Sequence, residues 1–173
     1  MIPQHYSIEP NRLYAGEYPG DQNPKIARSK ILSLVNLGIS TFIDLTSSHD
    51  QMEPYENVLA DLEKETGRRL RRISLPVPDM RVPDSAETME TIMKEVRDSL
   101  VSDPAVYIHC WGGIGRTGTV VGCWLRECGL EAENALKRVQ QLYSNHMPKV
   151  LIHPESPQTR EQKDYIRNWN PDR

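Results

Sequence analysis

The sequence predicts an α/β sandwich: a central, mostly parallel sheet of about four or five strands flanked by helices, with a glycine-rich loop between the last core strand and a buried helix. Two observations predict it. Short β-branched and aromatic runs alternate along the chain with longer segments whose apolar residues recur at helical spacing. One of these runs, Ala105-Val106-Tyr107-Ile108-His109-Cys110, passes through a glycine-rich loop into Thr119-Val120-Val121-Gly122-Cys123-Trp124-Leu125, a nearly continuous apolar helix.

The elements follow in order. Arg12-Leu13-Tyr14-Ala15-Gly16 reads as a short first strand, closed by the turn-rich Glu17-Tyr18-Pro19-Gly20-Asp21. Residues 24–37 carry Ile26, Ile31, Leu34, Val35 and Leu37 at helical spacing, and Gly38 ends that helix. Thr41 to Leu45 reads as a buried strand, residues 52–66 as an exposed amphipathic helix ending at Gly67, and Leu70 to Leu75 as another strand. A helix over 85–102 precedes the strand 105–110, and helices over 115–128, 131–146 and 158–169 complete the chain. Gly118 and Gly122, at helical spacing, are expected to let their helix pack closely on the sheet. Ligands of such sheets sit at the carboxyl ends of the strands, where Cys110 falls.

Composition narrows the function classes. The 173 residues suit one domain over 1–173 with one core, and 38% hydrophobic content is adequate to fill it. A net charge of −3 argues against nucleic-acid binding through a broad basic surface. No stretch reads as a targeting signal and none approaches membrane-spanning length, so membrane insertion is not expected. Three cysteines, an odd number, fit a reducing compartment better than a disulfide framework. A cytoplasmic monomer is the expectation. The five histidines show no metal-ligand spacing, so neither metal nor cofactor is expected.

The loop carries the chemistry. A chain that wraps from Cys110 to Arg116 aims successive N–H groups at one point and joins them to the unpaired N–H groups opening the next helix. Gly112, Gly113, Gly115 and Gly118 permit the close approach this nest needs, and with Trp111 and Ile114 they supply its anion-binding backbone. The same field favours the thiolate of Cys110. Arg116 offers a planar fork matching two phosphate oxygens, which lysine does not reproduce. Thr117 places a hydroxyl where it can hydrogen-bond the sulfur and help it leave. Such a loop holds a phosphate dianion and attacks it. The plainer alternative is a buried strand cysteine followed by a flexible glycine loop.

His-Cys-x5-Arg-Thr-Gly over residues 109–118 resembles the signature loop of the protein tyrosine phosphatase superfamily, in its compact, dual-specificity-like branch. The resemblance implies a cysteine-dependent protein phosphatase acting on phosphotyrosine, with phosphoserine and phosphothreonine as further substrates, through a phosphocysteine intermediate. Its partners would be phosphorylated proteins or small phosphomonoesters. The departing oxygen then needs an acid, sought in Leu75-Pro76-Val77-Pro78-Asp79-Met80-Arg81-Val82-Pro83-Asp84-Ser85, where compact relatives carry a Pro-Asp before the next helix. Asp84-Ser85-Ala86-Glu87 also reads as a helix N-cap with its capping box, so Asp84 is assigned to the cap and Asp79 to the acid.

The resemblance extends to Gln158-Thr159-Arg160-Glu161-Gln162, similar to the Gln-Thr-x-x-Gln pattern that positions the attacking water in larger members. Both glutamines equally fit ordinary polar residues at a helix start. His109 is expected to stiffen the loop by hydrogen bonding rather than act as a base. Asp44, Glu17 and Glu53 compete to orient Arg116. Arg68-Arg69-Leu70-Arg71-Arg72 reads as a solvated strand edge, with an electrostatic funnel for phosphorylated ligands as its alternative.

Three rival functions stay open: a phosphoinositide or inositol-phosphate phosphatase, a non-catalytic phosphoprotein-binding module, and a thiol-redox enzyme. Members acting on highly phosphorylated inositol lipids often carry lysines in the loop, and residues 111–115 contain none. Binding alone needs neither nucleophile nor acid. Cys123 and Cys128 fall on the helix beyond the loop, poorly placed to resolve an oxidised Cys110. A shallow site is expected, because a chain this short leaves little room for extended recognition loops.

Overall fold

A computed structural model describes residues 2–171. Its sheet has five strands: β1 (His5–Glu9), β2 (Leu13–Gly16), β3 (Ile39–Asp44), β4 (Arg71–Ser74) and β5 (Ala105–His109). They lie in the order β1-β2-β5-β3-β4, with β1 antiparallel to β2 and the remaining neighbours parallel. Six helices complete the fold: α1 (Pro24–Asn36), α2 (Glu56–Thr66), α3 (Ala86–Ser102), α4 (Gly115–Glu127), α5 (Ala132–His146) and α6 (Arg160–Asn168). The α/β sandwich read from the sequence is the fold observed.

Strand periodicity divides the interior into two cores. Val106 and Ile108 of β5 face one side, where Met89 and Ile92 of α3, Val120 and Val121 of α4, Val139 of α5 and Ile166 of α6 pack. Ala105 and Tyr107 face the other, against Ile31 and Leu34 of α1 and Leu59 and Leu62 of α2. Central β5 is buried at every position, which explains its apolar run from Ala105 to Ile108.

The first strand read from the sequence is in fact the second. β1 was not legible because it is an edge strand in which Tyr6 alone is buried, so it shows no apolar alternation. Helix α2 begins at Glu56 rather than residue 52, since Pro54 and the buried Tyr55 belong to the approach. Ser85, not Asp84, caps α3: its hydroxyl accepts from the Thr88 N–H. Gly122 does not serve contact with the sheet. A Cβ there would strike Ile166, so it lets α6 lie close against α4, and Gly118 likewise abuts Ser156. The arginine run does lie at the sheet edge, with Arg68 and Arg69 exposed beside the outer strand β4, but most of its charge is committed to partners rather than free to act as a funnel. Arg71 pairs with Asp103 at 2.7 Å, Arg72 with Asp44 at 2.8 Å and with Glu56, and Arg68 donates to the Val35 carbonyl at 2.7 Å. Among the described residues no helix is long and apolar enough to cross a membrane.

Candidate active site

The parallel strands end level: Gly16 and Asp44 both lie in register with His109, and Ser74 with Asp44. The segments leaving these ends build a cleft of about 930 Å³, lined among others by Cys110, Arg116, Asp79, Asp50, Gln158 and Trp111. Cys110 is the first residue past β5, so the hydrogen-bonded ladder delivers it to the cleft floor.

The loop from Cys110 to Arg116 is pinned by its carbonyls. Trp111 O accepts from the Tyr18 N–H at 2.9 Å, Gly112 O from Lys149 Nζ at 2.9 Å, Ile114 O from Ser156 Oγ at 2.8 Å, and Gly115 O from Thr119 Oγ1 at 2.8 Å. Among the described residues no backbone carbonyl accepts from the N–H groups of residues 111–115. With its oxygens tied elsewhere, the loop has its donors free for an anion. Gly113 has a φ of 72°, and a Cβ there would collide with the backbone of Gly16, so the loop's close seat on β2 requires glycine. Ile114 packs into the core at 4% exposure, whereas the Trp111 side chain is 62% exposed on the cleft wall.

Arg116 is 2% exposed. Its Nη1 and Nη2 grip the two oxygens of Asp50 at 2.9 and 2.7 Å, and Nη1 also reaches the carbonyls of Val77 and Leu45 at 3.2 and 3.4 Å. Nη2 further meets Asp79 Oδ1 at 3.0 Å. The remaining donor, Nε, is buried without a protein partner. Burial works against the guanidinium's charge, but Asp50, Cys110 and Asp79 outweigh it and hold Arg116 above its ordinary value. Burial also opposes ionisation of Asp50, yet Arg116 and the Ser47 N–H keep its carboxyl below the usual carboxylate range.

Thr117 Oγ1 donates to Cys110 Sγ at 3.1 Å. His109, fully buried, meets the Tyr55 hydroxyl through Nε2 at 2.7 Å and the Cys110 carbonyl through Nδ1 at 3.3 Å. Burial pushes its imidazole below the ordinary value, which leaves it neutral at pH 7 and holding the loop rather than taking protons.

The family model described as "PTP-SAK: Swiss Army Knife protein, DSP-PTPase phosphatase domain" matches residues 5–166. The chain belongs to this family. The PTP-SAK chain is 26% identical over 164 residues to "Putative tyrosine phosphatase 197R" of Invertebrate iridescent virus 6, covering 92% of this chain and 51% of that protein. It is 37% identical over 81 residues to receptor-type tyrosine-protein phosphatase C of Homo sapiens, covering 45% of this chain and 6% of that protein. It thus spans about half of one relative and a small part of the other. Among solved structures, Tk-PTP in the active form has a TM-score of 0.69 at 23% identity, covering 99% of this chain and 98% of that one. PTPMT1 in complex with PI(5)P has a TM-score of 0.69 at 14% identity, covering 96% and 94%. A variant of P. aeruginosa TpbA in complex with pTyr has a TM-score of 0.69 at 17% identity, covering 98% and 86%. At these identities the likeness is one of fold.

Within the PTP-SAK cleft, Cys110, Trp111, Gly112, Ile114, Gly115, Arg116 and Asp79 come together, with Thr117 buried behind the sulfur and Gly113 turned onto β2. Gln158 lines the cleft, but Gln162 does not. The Gln162 Oε1 accepts from the N–H groups of Gln158 and Thr159, and its Nε2 donates to the Arg81 carbonyl at 3.1 Å. Its amide therefore caps α6 and ties that helix to the Asp79 loop. Asp84 faces a neighbouring groove, not the cleft of Cys110. None of the three carboxylates expected to orient Arg116 does so. Asp44 is taken by Arg72 and Thr46, Glu17 by Lys149 at 2.6 Å, and Glu53 makes no ion pair among the described residues. The residue missed is Asp50, held by a short turn in which the Ser47 N–H donates to its carboxylate at 2.7 Å. Lys149 and Tyr55 were missed too. A carboxylate in a serine-rich turn just past a core strand was the available signal for Asp50.

Proposed function

We propose that this chain is a cysteine-dependent phosphatase hydrolysing phosphotyrosine, with slower action on phosphoserine and phosphothreonine, through a phosphocysteine intermediate. The observation that carries the reading is the convergence of a thiol, its threonine hydroxyl donor, a buried arginine with a free Nε, and a carboxylate in one cleft. The Cys110 thiolate attacks phosphorus as the P–O bond to the leaving group breaks. Loop N–H groups and Arg116 take the equatorial oxygens, where preorganised donors contribute most. The phosphate claims the Nε and Nη2 edge of Arg116 and displaces Asp79, which takes up a proton from solvent and passes it to the departing oxygen as the P–O bond breaks. Asp79, now a carboxylate, accepts a proton from water positioned beside Gln158. That water breaks the S–P bond and frees phosphate, and Thr117 stabilises the returning thiolate.

Charge at the cleft supports a substrate with one phosphate. Five carboxylates and three cations line it, and two of the cations, Lys30 and Lys149, are held by Asp21 and Glu17 at 2.9 and 2.6 Å. Countercharge remains for one dianion. Structural neighbours solved with pTyr and with PI(5)P indicate that the fold itself accommodates either ligand, so this lining is what argues between them.

The test is Cys110→Ser, which is expected to abolish turnover while still binding phosphopeptide, because a serine hydroxyl is not ionised at neutral pH. Vanadate should inhibit the wild type, and EDTA should leave it unchanged. Turnover by the serine variant would overturn the mechanism. A polyphosphoinositide kcat/KM about tenfold above that for a phosphotyrosine peptide would overturn the substrate class.

A further inference from the structure

Resting on the phosphotyrosine reading, we infer that the site selects phosphotyrosine flanked by a basic residue, arginine above lysine, and that Glu53 and the Trp111 indole read that flank. The inference begins with charge. Every cation lining the cleft already has a carboxylate: Lys30 has Asp21, Lys149 has Glu17, and Arg116 has Asp50 and Asp79. Of the five carboxylates lining it, Glu53 alone forms neither an ion pair nor a side-chain hydrogen bond among the described residues, and it is exposed. Outside the phosphate nest, the uncommitted charge of the cleft is negative.

Position makes this charge selective. Tyr18, itself buried, donates its backbone N–H to the Trp111 carbonyl and its hydroxyl to the Glu53 carbonyl, both at 2.9 Å. One buried tyrosine thus bridges the backbones of Trp111 and Glu53, and both residues line the same cleft. Trp111 begins the phosphate loop, so its exposed indole stands where residues next to a bound phosphotyrosine must pass. An aromatic face beside a free carboxylate is a receptor for a guanidinium, which stacks on the ring while its fork meets the oxygens. Lysine, a compact and strongly hydrated charge, uses such a pair less well. An acidic flank meets repulsion from Glu53.

Two phosphotyrosine peptides, identical except for arginine or glutamate on either side of the phosphotyrosine, supply the test, and a lysine counterpart compares the two cations. Wild type is expected to show a kcat/KM about fivefold or more higher for the arginine peptide, with the gap narrowing as salt is added. Glu53→Lys should erase or invert that ratio, and Trp111→Ala should remove the advantage of arginine over lysine. Each ratio comes from one protein preparation, so it is independent of the fraction folded. Equal rates, a preference for glutamate, or a ratio unchanged in Glu53→Lys would overturn the inference while leaving the phosphatase reading intact. Turnover of a polyphosphoinositide with neither peptide hydrolysed would overturn the phosphotyrosine reading and this inference with it.

Discussion

Arg116 keeps its charge at 2% exposure, which is tolerable only with acceptors in place. Asp50 supplies two and backbone carbonyls supply more, so the guanidinium is fixed in plane before any phosphate arrives. Asp79 differs in kind. Its side chain is 54% exposed, and it touches Arg116 from a proline-stiffened loop, a contact loose enough to exchange. This difference motivates assigning orientation to Asp50 and proton transfer to Asp79. Asp79→Ala is expected to lower kcat by about 100-fold or more for poor leaving groups. The loss should be smaller for activated aryl phosphates, which need little protonation. Asp84→Ala should keep nearly full kcat, because Asp84, unlike Asp79, does not line the cleft of Cys110. Initial rates on the two substrate types decide the matter, and exchanged phenotypes would make Asp84 the acid.

At the scale of elements, termini are set by single side chains. Ser85 bonds the Thr88 N–H and satisfies one of the open donors of α3. Ser85→Ala should therefore cost about 1 kcal/mol, read as a lower urea midpoint at unchanged slope. Asp84→Ala should move that midpoint much less, reversing what Asp-Ser-Ala-Glu suggests by spacing alone. Periodic helices such as α1 and α3, and the wholly buried β5, were legible because burial writes itself into the sequence as period. β1 left no such trace, being an edge strand with one buried residue. Cys110 and Arg116 were legible as a pair because the loop joins them within seven residues. The Asp50 partnership was not, since it spans 66 positions and depends on how the turn after β3 folds back.

The whole molecule is coupled to its site through His109. This residue ends the central strand, is buried directly before Cys110, and sits among the rings of Tyr18, Tyr55 and Tyr107 at centroid distances of 5.3–5.7 Å. Burial depresses its imidazole below the ordinary 6.5. Above that pH neither the folded nor the unfolded chain protonates it, and the fold keeps its full stability. As pH drops below about 6.5 the unfolded chain takes up a proton that the folded chain refuses, so stability declines, by up to about 1.4 kcal/mol per pH unit, until the folded value is reached. The depressed carboxylates, among them Asp50 and Asp103 from 3.8 and Glu87, Glu133 and Glu155 from 4.5, add their losses only below those values, which leaves the window above about 5 to His109. Urea midpoints measured from pH 7.5 to 5 should fall steadily in wild type. In His109→Gln, which keeps a group able to bond Tyr55 but cannot titrate, the midpoint should start lower and stay flatter across that window. A wild-type midpoint as high at pH 5 as at pH 7.5 would mean that the buried imidazole accepts its proton in place, and that His109 does not anchor the loop as a neutral ring.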